Sequence, residues 1–315
     1  MLSTLMPGFE INNRYHIRRE KRGGMGVVYI CFDKELQETV ALKTFQKKYV
    51  LDKSMRDIFY AEANNWVDLG RHKNIVHAKR VEIIEFQPFI IIEYISGHDY
   101  YGPSLRDWIT QQGLDLAIAL SFAIQVCDAM IHIERVSKEK GNRLVHKDLK
   151  PDNIMITNDE IIKVTDFGLI GSTAQGGTPA YMSPEQWLGE DDIDIRSDIY
   201  SFGCVLYEMI TGKWFFDIQG LDPKECFDHH INTLPSCIDG VSDTLNRLIQ
   251  KCLAKKAGER YASFSQLKEQ ILHIYGGGVK RIEVDLKTDD DKEDWVQTAF
   301  NLTNLGRFSE ALNLF

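Results

Sequence analysis

The sequence has few of the features that mark secreted, metal-binding or nucleic-acid-binding proteins. Its six cysteines are scattered and form no C-x-x-C pair, so neither a disulfide framework nor a zinc site is indicated. The net charge is -9 at pH 7, whereas a general nucleic-acid binder needs a basic surface to neutralise phosphates. We therefore expect a cytoplasmic protein with reduced core thiols that binds no nucleic acid.

Long apolar runs are also missing. The N-terminal stretch MLSTLMPGFE lacks a basic segment followed by a long apolar run, and no 18-residue apolar stretch occurs later, so we expect no contact with a membrane. The 315 residues are 43% hydrophobic and 26% charged, which is typical of a globular chain. This length suits one large two-lobed core or two ordinary domains.

Hydrophobic periodicity separates a strand-rich first part from a helical second part. TVALKTF alternates at period two, and PFIIIEYI has the pattern of a buried strand. Between them, spacings of i, i+3 and i+4 predict one amphipathic helix that carries Met55, Ile58, Phe59, Glu62, Trp66 and Leu69 on a single stripe. From SLRDWI to about Tyr275 the pattern is mostly helical, except for the short strand-like runs NIMIT and IIKVTDFG.

A change of composition near residue 276 marks the end of this part. GGG at 276–278 and the acidic TDDDKED at 288–294 indicate a linker. The residues that follow resemble a tetratricopeptide repeat, and those at its consensus spacing are Trp295, Ala299, Gly306, Phe308, Ala311 and Phe315. The alternative is an ordinary amphipathic helical pair.

One repeat unit cannot bury its apolar face alone, so we expect further repeats downstream in a longer protein. For the same reason we expect that removing everything after Gly278 would change the stability of the preceding part little.

The stretch LVHKDLKPDN, residues 144–153, combines an imidazole, two ammonium groups, two carboxylates and an amide. An Asp followed at +2 by Lys and at +5 by Asn can place a base, a cation and a metal-binding amide around one point. Phosphoryl transfer to a hydroxyl needs these roles, because its barrier is lowered mainly by positioning and by charge stabilisation. Together with the ordered segments around it, this stretch resembles the eukaryotic-type (Hanks-type) serine/threonine protein kinases, as bacteria also have them, over about Tyr15 to Tyr275.

The resemblance implies an α+β, bilobal protein kinase fold. We expect a β-rich N-lobe with one regulatory helix at about 15–93, a hinge at about 93–97 and a mainly helical C-lobe at about 98–275. The expected domains are an N-terminal extension, the kinase domain, a linker and a truncated α-helical repeat segment, at residues 1–14, 15–275, 276–291 and 292–315.

KRGGMGVVY is similar to the glycine-rich loop of this family, whose backbone amides approach the phosphates of ATP. Lys21 replaces the first family glycine. VALK and the helical stripe predict that Lys43 pairs with Glu62, and the resemblance implies that this pair holds Lys43 against the α- and β-phosphates. The full set of residues that the resemblance assigns to ATP is Gly23, Gly24, Gly26, Val28, Ala41, Lys43, Ile92 as gatekeeper, Glu93, Ile95 and Met155.

For the reacting groups, the resemblance makes Asp148 the base that accepts the substrate hydroxyl proton. Lys150 then balances charge on the transferred phosphoryl group, and Asn153 and Asp166 of KVTDFG hold Mg²⁺. Lys150 and Thr178 are the signals of the serine/threonine type.

Two further segments complete the resemblance. In GTPAYMSPE, residues 177–185, Glu185 is expected to form a structural salt bridge with Arg260. Asp198 of RSDIYSFG is expected to brace the catalytic loop, or with Ser197 to cap the helix that follows.

The predicted function is ATP- and Mg²⁺-dependent phosphorylation of serine or threonine in protein substrates, in prokaryotic signalling, with protein partners recruited by the downstream repeats. The alternative is a pseudokinase scaffold, because Lys21 departs from the family pattern. A kinase of small metabolites is disfavoured by GTPAYMSPE.

Lys147 stands where the family usually has an arginine that grips a phosphate on the activation loop. A lysine grips phosphate less specifically, and the loop LIGSTAQGG is short, with Ser172 and Thr173 as its only hydroxyls. We therefore expect activity without prior phosphorylation of this loop.

Overall fold

The computed structural model describes residues 6–23, 26–50, 52–112, 114–141, 144–167, 178–214, 216, 222–276 and 295–314. The chain forms two compact units. The sheet unit comprises Met1–His72, Val76–Tyr94 and Thr288–Phe315. The helical unit comprises Lys73–Ile75 and Ile95–Lys287.

The sheet unit is built on an antiparallel sheet with strand order β1-β2-β3-β4-β6-β5, so β5 lies at one edge. Its elements, in chain order, are β1 (Glu10–Ile11), β2 (Tyr15–Arg22), β3 (Gly26–Asp33), β4 (Glu38–Phe45), α1 (Lys53–Leu69), β5 (Ala78–Ile84) and β6 (Gln87–Glu93). The predicted strands and the predicted amphipathic helix are therefore confirmed.

The two faces of this sheet differ because side chains alternate along each strand. One face is a closed apolar core that includes Val27, Leu42 and Ile91. The opposite face presents the residues predicted to contact a nucleotide. The strand register pairs Val28 with Lys43 and Ala41 with Ile92, which places all four side chains on that face.

The helical unit contains most of the helices and one small hairpin of two strands. Its elements, in chain order, are α2 (Leu105–Gln112), α3 (Leu116–Lys140), β7 (Ile154–Ile156), β8 (Ile162–Val164), α4 (Pro184–Leu188), α5 (Ile195–Thr211), α6 (Pro223–Asn232), α7 (Asp243–Cys252) and α8 (Phe264–Gly276). The sequence predicted this mostly helical region and both short strands.

By length and composition, α3 is apolar enough to cross a bilayer, contrary to the expectation that no such stretch occurs. In the structure α3 is a core helix of the helical unit. It packs against α5, α8 and β8, and its buried side chains include Leu120, Val126 and Ile133. Packing within the unit therefore accounts for its apolar composition.

The C-terminal segment forms two helices, α9 (Trp295–Asn304) and α10 (Phe308–Leu312). The turn between them uses Gly306 at φ 77°, a left-handed conformation that favours glycine. Helix α9 packs on β5 and α1, with Leu302 buried. These contacts join the segment to the sheet unit, so they argue against the expectation that its removal changes stability little.

Candidate active site

In the sheet unit, β4 and α1 bring Lys43 and Glu62 together as predicted. Lys43 Nζ forms an ion pair with Glu62 Oε1, and the glutamate is buried. Lys43 Nζ also lies 5.4 Å from the ring centroid of Trp66, close enough for a cation–π contact. Burial of a carboxylate costs free energy unless a charged or hydrogen-bonding partner compensates for it, so the pair explains why a glutamate occurs on the apolar stripe of α1.

The position of α1 is set by contacts on either side of Glu62. Phe59 packs edge-on against Phe45 of β4, with 5.4 Å between the ring centroids. One turn after Glu62, Trp66 Nε1 donates a hydrogen bond of 2.7 Å to the Val76 carbonyl. These contacts fix where the Glu62 carboxylate meets Lys43.

The glycine-rich hairpin between β2 and β3 is closed by a hydrogen bond of 3.0 Å from Gly23 N to the Gly26 carbonyl. A Cβ added at Gly23 or Gly26 would meet no atom closer than 3.5 Å, so packing within the chain does not require glycine there. The absence of side chains at Gly23 and Gly26 instead lets a ligand come close to the backbone. Lys21 is an exposed residue of β2 paired with Val28, and Gly24 lies outside the described residues.

In the helical unit, the Asp148 carboxylate is the centre of a hydrogen-bond network. Lys150 Nζ lies 2.7 Å from Asp148 Oδ2, and Asn153 Nδ2 lies 3.1 Å from the same oxygen. The backbone N–H and the hydroxyl of Thr178 both donate to Asp148 Oδ1 at 2.9 Å. Lys150 Nζ also donates to Thr178 Oγ1 at 2.6 Å. Lys150, the predicted cation, and Thr178, the predicted signal of the serine/threonine type, therefore both bind the carboxylate of Asp148, the predicted base.

Asn153 is oriented in a way that suits a metal ligand. Its Nδ2 donates to the Asp148 backbone carbonyl at 2.9 Å as well as to the Asp148 carboxylate. Because the amide nitrogen makes these bonds, Oδ1 is the atom with which Asn153 would bind a metal ion. Amide and carboxylate oxygens are the ligands that Mg²⁺ prefers, so Asn153 and Asp166 are of the residue types that suit this ion. Asp166 has φ 65°, an uncommon backbone conformation for a residue with a side chain.

The backbone before Asp148 is held by Asp198 of α5. Asp198 Oδ2 accepts from His146 N and Oδ1 from Lys147 N, each at 2.8 Å. Burial raises the pKa of Asp198 to about 7, and the two backbone hydrogen bonds oppose that rise. Asp194 is the N-cap of α5, so the bracing role predicted for Asp198 is confirmed and the capping alternative is wrong.

His146 is buried and neutral. Burial lowers its pKa, its Nε2–H donates to the Thr165 carbonyl at 3.0 Å, and its Nδ1 accepts from Asp148 N at 3.3 Å. Its ring centroid lies 5.1 Å from that of Phe167. His146 therefore links the Asp148 loop to the segment that carries Asp166.

Comparison with protein families identifies the chain. Residues 21–272 match the protein kinase domain. The chain belongs to the protein kinase domain family. The match runs from the end of β2 through β6 in the sheet unit and covers nearly all of the described helical unit, but it does not include α9 and α10. The predicted kinase fold is confirmed at the level of the family.

Curated relatives of this kinase chain come from several bacteria. A probable serine/threonine-protein kinase of Clostridium acetobutylicum is 32% identical over 284 residues, which cover 85% of this chain and 41% of the relative. Serine/threonine-protein kinase Pkn1 of Myxococcus xanthus is 33% identical over 274 residues, or 81% of this chain and 37% of the relative. Serine/threonine-protein kinase PknB of Mycobacterium tuberculosis is 31% identical over 275 residues, or 81% and 42%.

The chain thus spans less than half the length of the curated relatives it matches. The match shows the protein kinase domain family, and these relatives are named as serine/threonine-protein kinases. The family uses ATP, a divalent metal ion and a protein substrate. Among the described residues there is no cluster of three or more His, Cys, Asp or Glu side chains that could hold a metal ion.

The remaining residues of the predicted ATP set lie in both units. Ile92 and Glu93 end β6, and Glu93 N donates to the His77 carbonyl at 3.0 Å. Ile95 belongs to the helical unit and is buried, and Met155 lies in β7, paired with Lys163.

The predicted salt bridge of the substrate-docking segment is present. Arg260 donates to both carboxylate oxygens of Glu185, at 2.6 and 2.8 Å. Burial raises the pKa of Glu185, but the hydrogen bonds from Arg260 outweigh burial and hold the pKa below its ordinary value. Both side chains are buried, so this pair fixes α4 to the loop before α8.

Sequence reasoning missed the role of Gln186. Its Nε2 donates to the Lys147 carbonyl at 2.8 Å, so the Lys147 backbone, at φ 64°, is held by Asp198 on one side and Gln186 on the other. The spacing of Ser183 and Gln186 indicates a capping box, which the structure contains. Nothing in that spacing points to Lys147.

Proposed function

We propose that the chain is an active serine/threonine protein kinase that transfers the γ-phosphoryl group of ATP to protein hydroxyls. The observation that carries this proposal is the network in which Lys150 and Thr178 both bind the Asp148 carboxylate. It sets a base, a cation and a hydroxyl at hydrogen-bonding distance from one another, which is the arrangement that phosphoryl transfer to a hydroxyl requires.

Asp148 acts as the base. Its four oxygen lone-pair directions are taken up by Lys150, Asn153 and the two donors of Thr178. A substrate hydroxyl therefore has to replace one of these donors. Thr178 Oγ1 is itself a hydroxyl on the carboxylate, so its place suits the serine or threonine of a substrate, whose proton Asp148 then accepts.

Lys150 stays beside the carboxylate during this exchange. Its ammonium group lies 2.7 Å from Asp148 Oδ2 and is positioned to balance negative charge that develops on the phosphoryl group in transit. In the sheet unit, Lys43 contacts the α- and β-phosphates, and Glu62 keeps its ammonium group in place.

Asn153 and Asp166 hold Mg²⁺ in this proposal. The metal ion supplies positive charge that offsets the charge of the ATP phosphates. The chain's own contribution is the orientation of Asn153, which the Asp148 carbonyl and carboxylate fix through Nδ2.

A pseudokinase scaffold is the second candidate, and Lys21 is the residue that favours it. In the structure Lys21 is a regular, exposed strand residue, and the glycine positions that approach phosphate in the family, Gly23 and Gly26, are unobstructed by side chains. These observations support the active kinase over the scaffold.

The setting of this kinase is also a proposal. Bacterial relatives support a role in prokaryotic signalling. All six cysteines are free and five of them are buried, which supports a reducing, cytoplasmic environment. Exposed apolar side chains on α9 and α10, namely Phe300, Phe308 and Leu312, support a helical repeat that continues downstream and recruits protein partners.

The decisive test of the proposed function is Asp148→Asn. We expect turnover, measured by label transfer from ATP with Mg²⁺ to a basic protein substrate, to fall about a thousandfold, because a general base is lost. ATP affinity measured by calorimetry should change little, since Asp148 binds the acceptor and not adenine.

Asp152→Asn is the matched control, because Asp152 lies in the same loop with its side chain about half exposed. Its turnover should stay close to that of the wild type. Near wild-type turnover in the Asp148 variant would overturn the assignment of the base, and no transfer by the wild type would favour the scaffold.

A further inference from the structure

The outer edge of β5 is covered by side chains of α9. Asn301 Oδ1 accepts from Val81 N at 3.1 Å, and Asn304 Nδ2 donates to the Val81 carbonyl at 2.7 Å. Because β5 is the last strand of the sheet, Val81 has no neighbouring strand on that side. The two amides, three residues apart on one helix face, supply the acceptor and the donor that another strand would supply.

The residue after the α9–α10 turn contacts α1. Arg307 Nη1 lies 2.8 Å from Asp68 Oδ1 and 3.5 Å from Asn64 Oδ1, while Glu310 binds the other guanidinium nitrogens. Asp68 lies in the last turn of α1, where a negative charge is unfavourable next to the helix dipole, and that turn has no basic residue of its own. Arg307 supplies the missing positive charge from outside the helix.

The contacts of Arg307 act on the helix that carries Glu62. Asn64 and Asp68 are four residues apart and share one side of α1, and at 100° per residue this side lies roughly opposite Glu62. Glu62 holds α1 to β4 through Lys43, whereas Asp68 holds it to α10 through Arg307. The helix is thus fastened on two sides within one unit.

We propose that α9 and α10 are a brace for α1, and that Arg307, Asn301 and Asn304 are positioning residues for the Lys43–Glu62 pair. Val81 fixes α9 to a strand of the sheet, and Arg307 connects the next helix to α1. A shift of α1 away from the sheet would break the contact between Arg307 and Asp68 as well as the pair at Lys43. The brace therefore favours the position of α1 in which Glu62 meets Lys43.

The inference rests on the proposed function for its catalytic consequence, but its structural part can be measured separately. Arg307→Gln removes the charge that reaches Asp68, and Arg307→Lys keeps it. Arg135→Gln is the matched control, because Arg135 pairs with Glu139 on the exposed surface of α3 and has no contact with α1 in the described structure. Two quantities are measured in the full chain: amide hydrogen exchange in α1, and kcat and KM for ATP.

In Arg307→Gln we expect faster exchange in α1 and a loss in kcat/KM for ATP of about fivefold. Arg307→Lys should recover most of both, and Arg135→Gln should change neither. In a Glu62→Gln background, Arg307→Gln should have almost no further effect on kcat/KM, because the pair that it positions is already broken.

Unchanged exchange in α1 of Arg307→Gln would overturn the inference. An equal loss of kcat/KM with and without Glu62 would also overturn it, since Arg307 would then not act through that residue. If the wild type transfers no phosphate, the proposed function fails, and hydrogen exchange in α1 alone decides the inference.

Discussion

The helical unit holds Asp148 by donors from its own loop and from Thr178, whereas the sheet unit holds Glu62 by the position of a whole helix. In the first case three of the groups, Asp148, Lys150 and Asn153, lie within six residues of chain. In the second, Lys43 and Glu62 come from separate elements, and one further pair of helices packs behind α1. The hydrogen bonds of the Asp148 network hold its members in place directly. The Lys43–Glu62 pair depends in addition on every contact that positions β4 and α1.

After the thousandfold loss expected for Asp148→Asn, the largest expected effect is on the pair in the sheet unit. Lys43→Met should lower turnover about a hundredfold or more, because charge stabilisation at the phosphates is lost. It should also destabilise the sheet unit by about 3 kcal/mol, since Glu62 is left buried without this partner. Label transfer and chemical denaturation measure the two effects.

Lys79→Met is the control for Lys43→Met. Lys79 pairs with Glu38 on the same sheet at 3.0 Å, but both side chains are partly exposed to solvent. Its loss should leave turnover unchanged and cost little stability. If Lys43→Met retained turnover, both the pair and the phosphate role of Lys43 would be wrong.

The next effect concerns the support of the Asp148 loop. In Asp198→Asn only one side-chain atom can accept, so one of the two backbone N–H groups of His146 and Lys147 loses its partner. We expect turnover to fall about tenfold, the equivalent of one buried hydrogen bond. Asp194→Asn, at the N-cap of the same helix, should change turnover little.

The same variant tests the pKa of Asp198. A folded-state pKa of about 7, above the ordinary 3.8, means that the folded protein binds this proton more tightly than the unfolded chain. The contribution of Asp198 to stability therefore decreases as pH rises from about 4 to about 7, by up to about 4 kcal/mol. Asp198→Asn should lack this decrease. If the stability of the wild type relative to Asp198→Asn instead increased with pH, burial would not raise the pKa of Asp198.

A smaller effect is expected from removal of the C-terminal helices. A chain that ends at Gly276 loses the partners of Val81 and of Asp68. We expect its melting temperature to fall by roughly 5 °C, because about 2 kcal/mol of packing and hydrogen bonding is lost. The full chain with Asn301→Ala and Asn304→Ala should show part of this fall. An unchanged melting temperature would mean that the helices contribute nothing to the sheet unit.

The contrast between the two units explains what the sequence could predict. LVHKDLKPDN and TVALKTF are short segments in which residue order sets side-chain direction, so the Asp148 network and the face that bears Ala41 and Lys43 were predictable. The bracing by Asp198 was predictable through the resemblance to the family.

What could not be predicted are contacts between residues far apart in sequence whose side chains have no special chemistry. Asn301 and Asn304 look like residues of any polar helix face, and the spacing of Ser183 and Gln186 indicates a capping box alone. Nothing in the residues near Val81 indicates which chain segment covers the edge of the sheet. That information exists only once the strand order and the packing of α9 are known.

The smallest effect is expected in the activation loop, where Ser172 and Thr173 lie outside the described residues. Replacing both by alanine should leave turnover within about threefold of the wild type, because a short loop loses little entropy on ordering. The structure adds a second reason, since Asp198 and Gln186 both form hydrogen bonds with the Lys147 backbone.

The rival explanation is that Lys147 still reads a phosphate on this loop. Lysine attracts phosphate as a point charge even though it lacks the bidentate geometry of arginine. Under that explanation the double alanine variant would lose most of its activity, and Asp at either position would restore it. A second test treats the wild-type protein with a phosphatase and checks by mass that no phosphate remains. If Lys147 is held by its backbone alone, the treated protein should turn over as fast as the untreated protein.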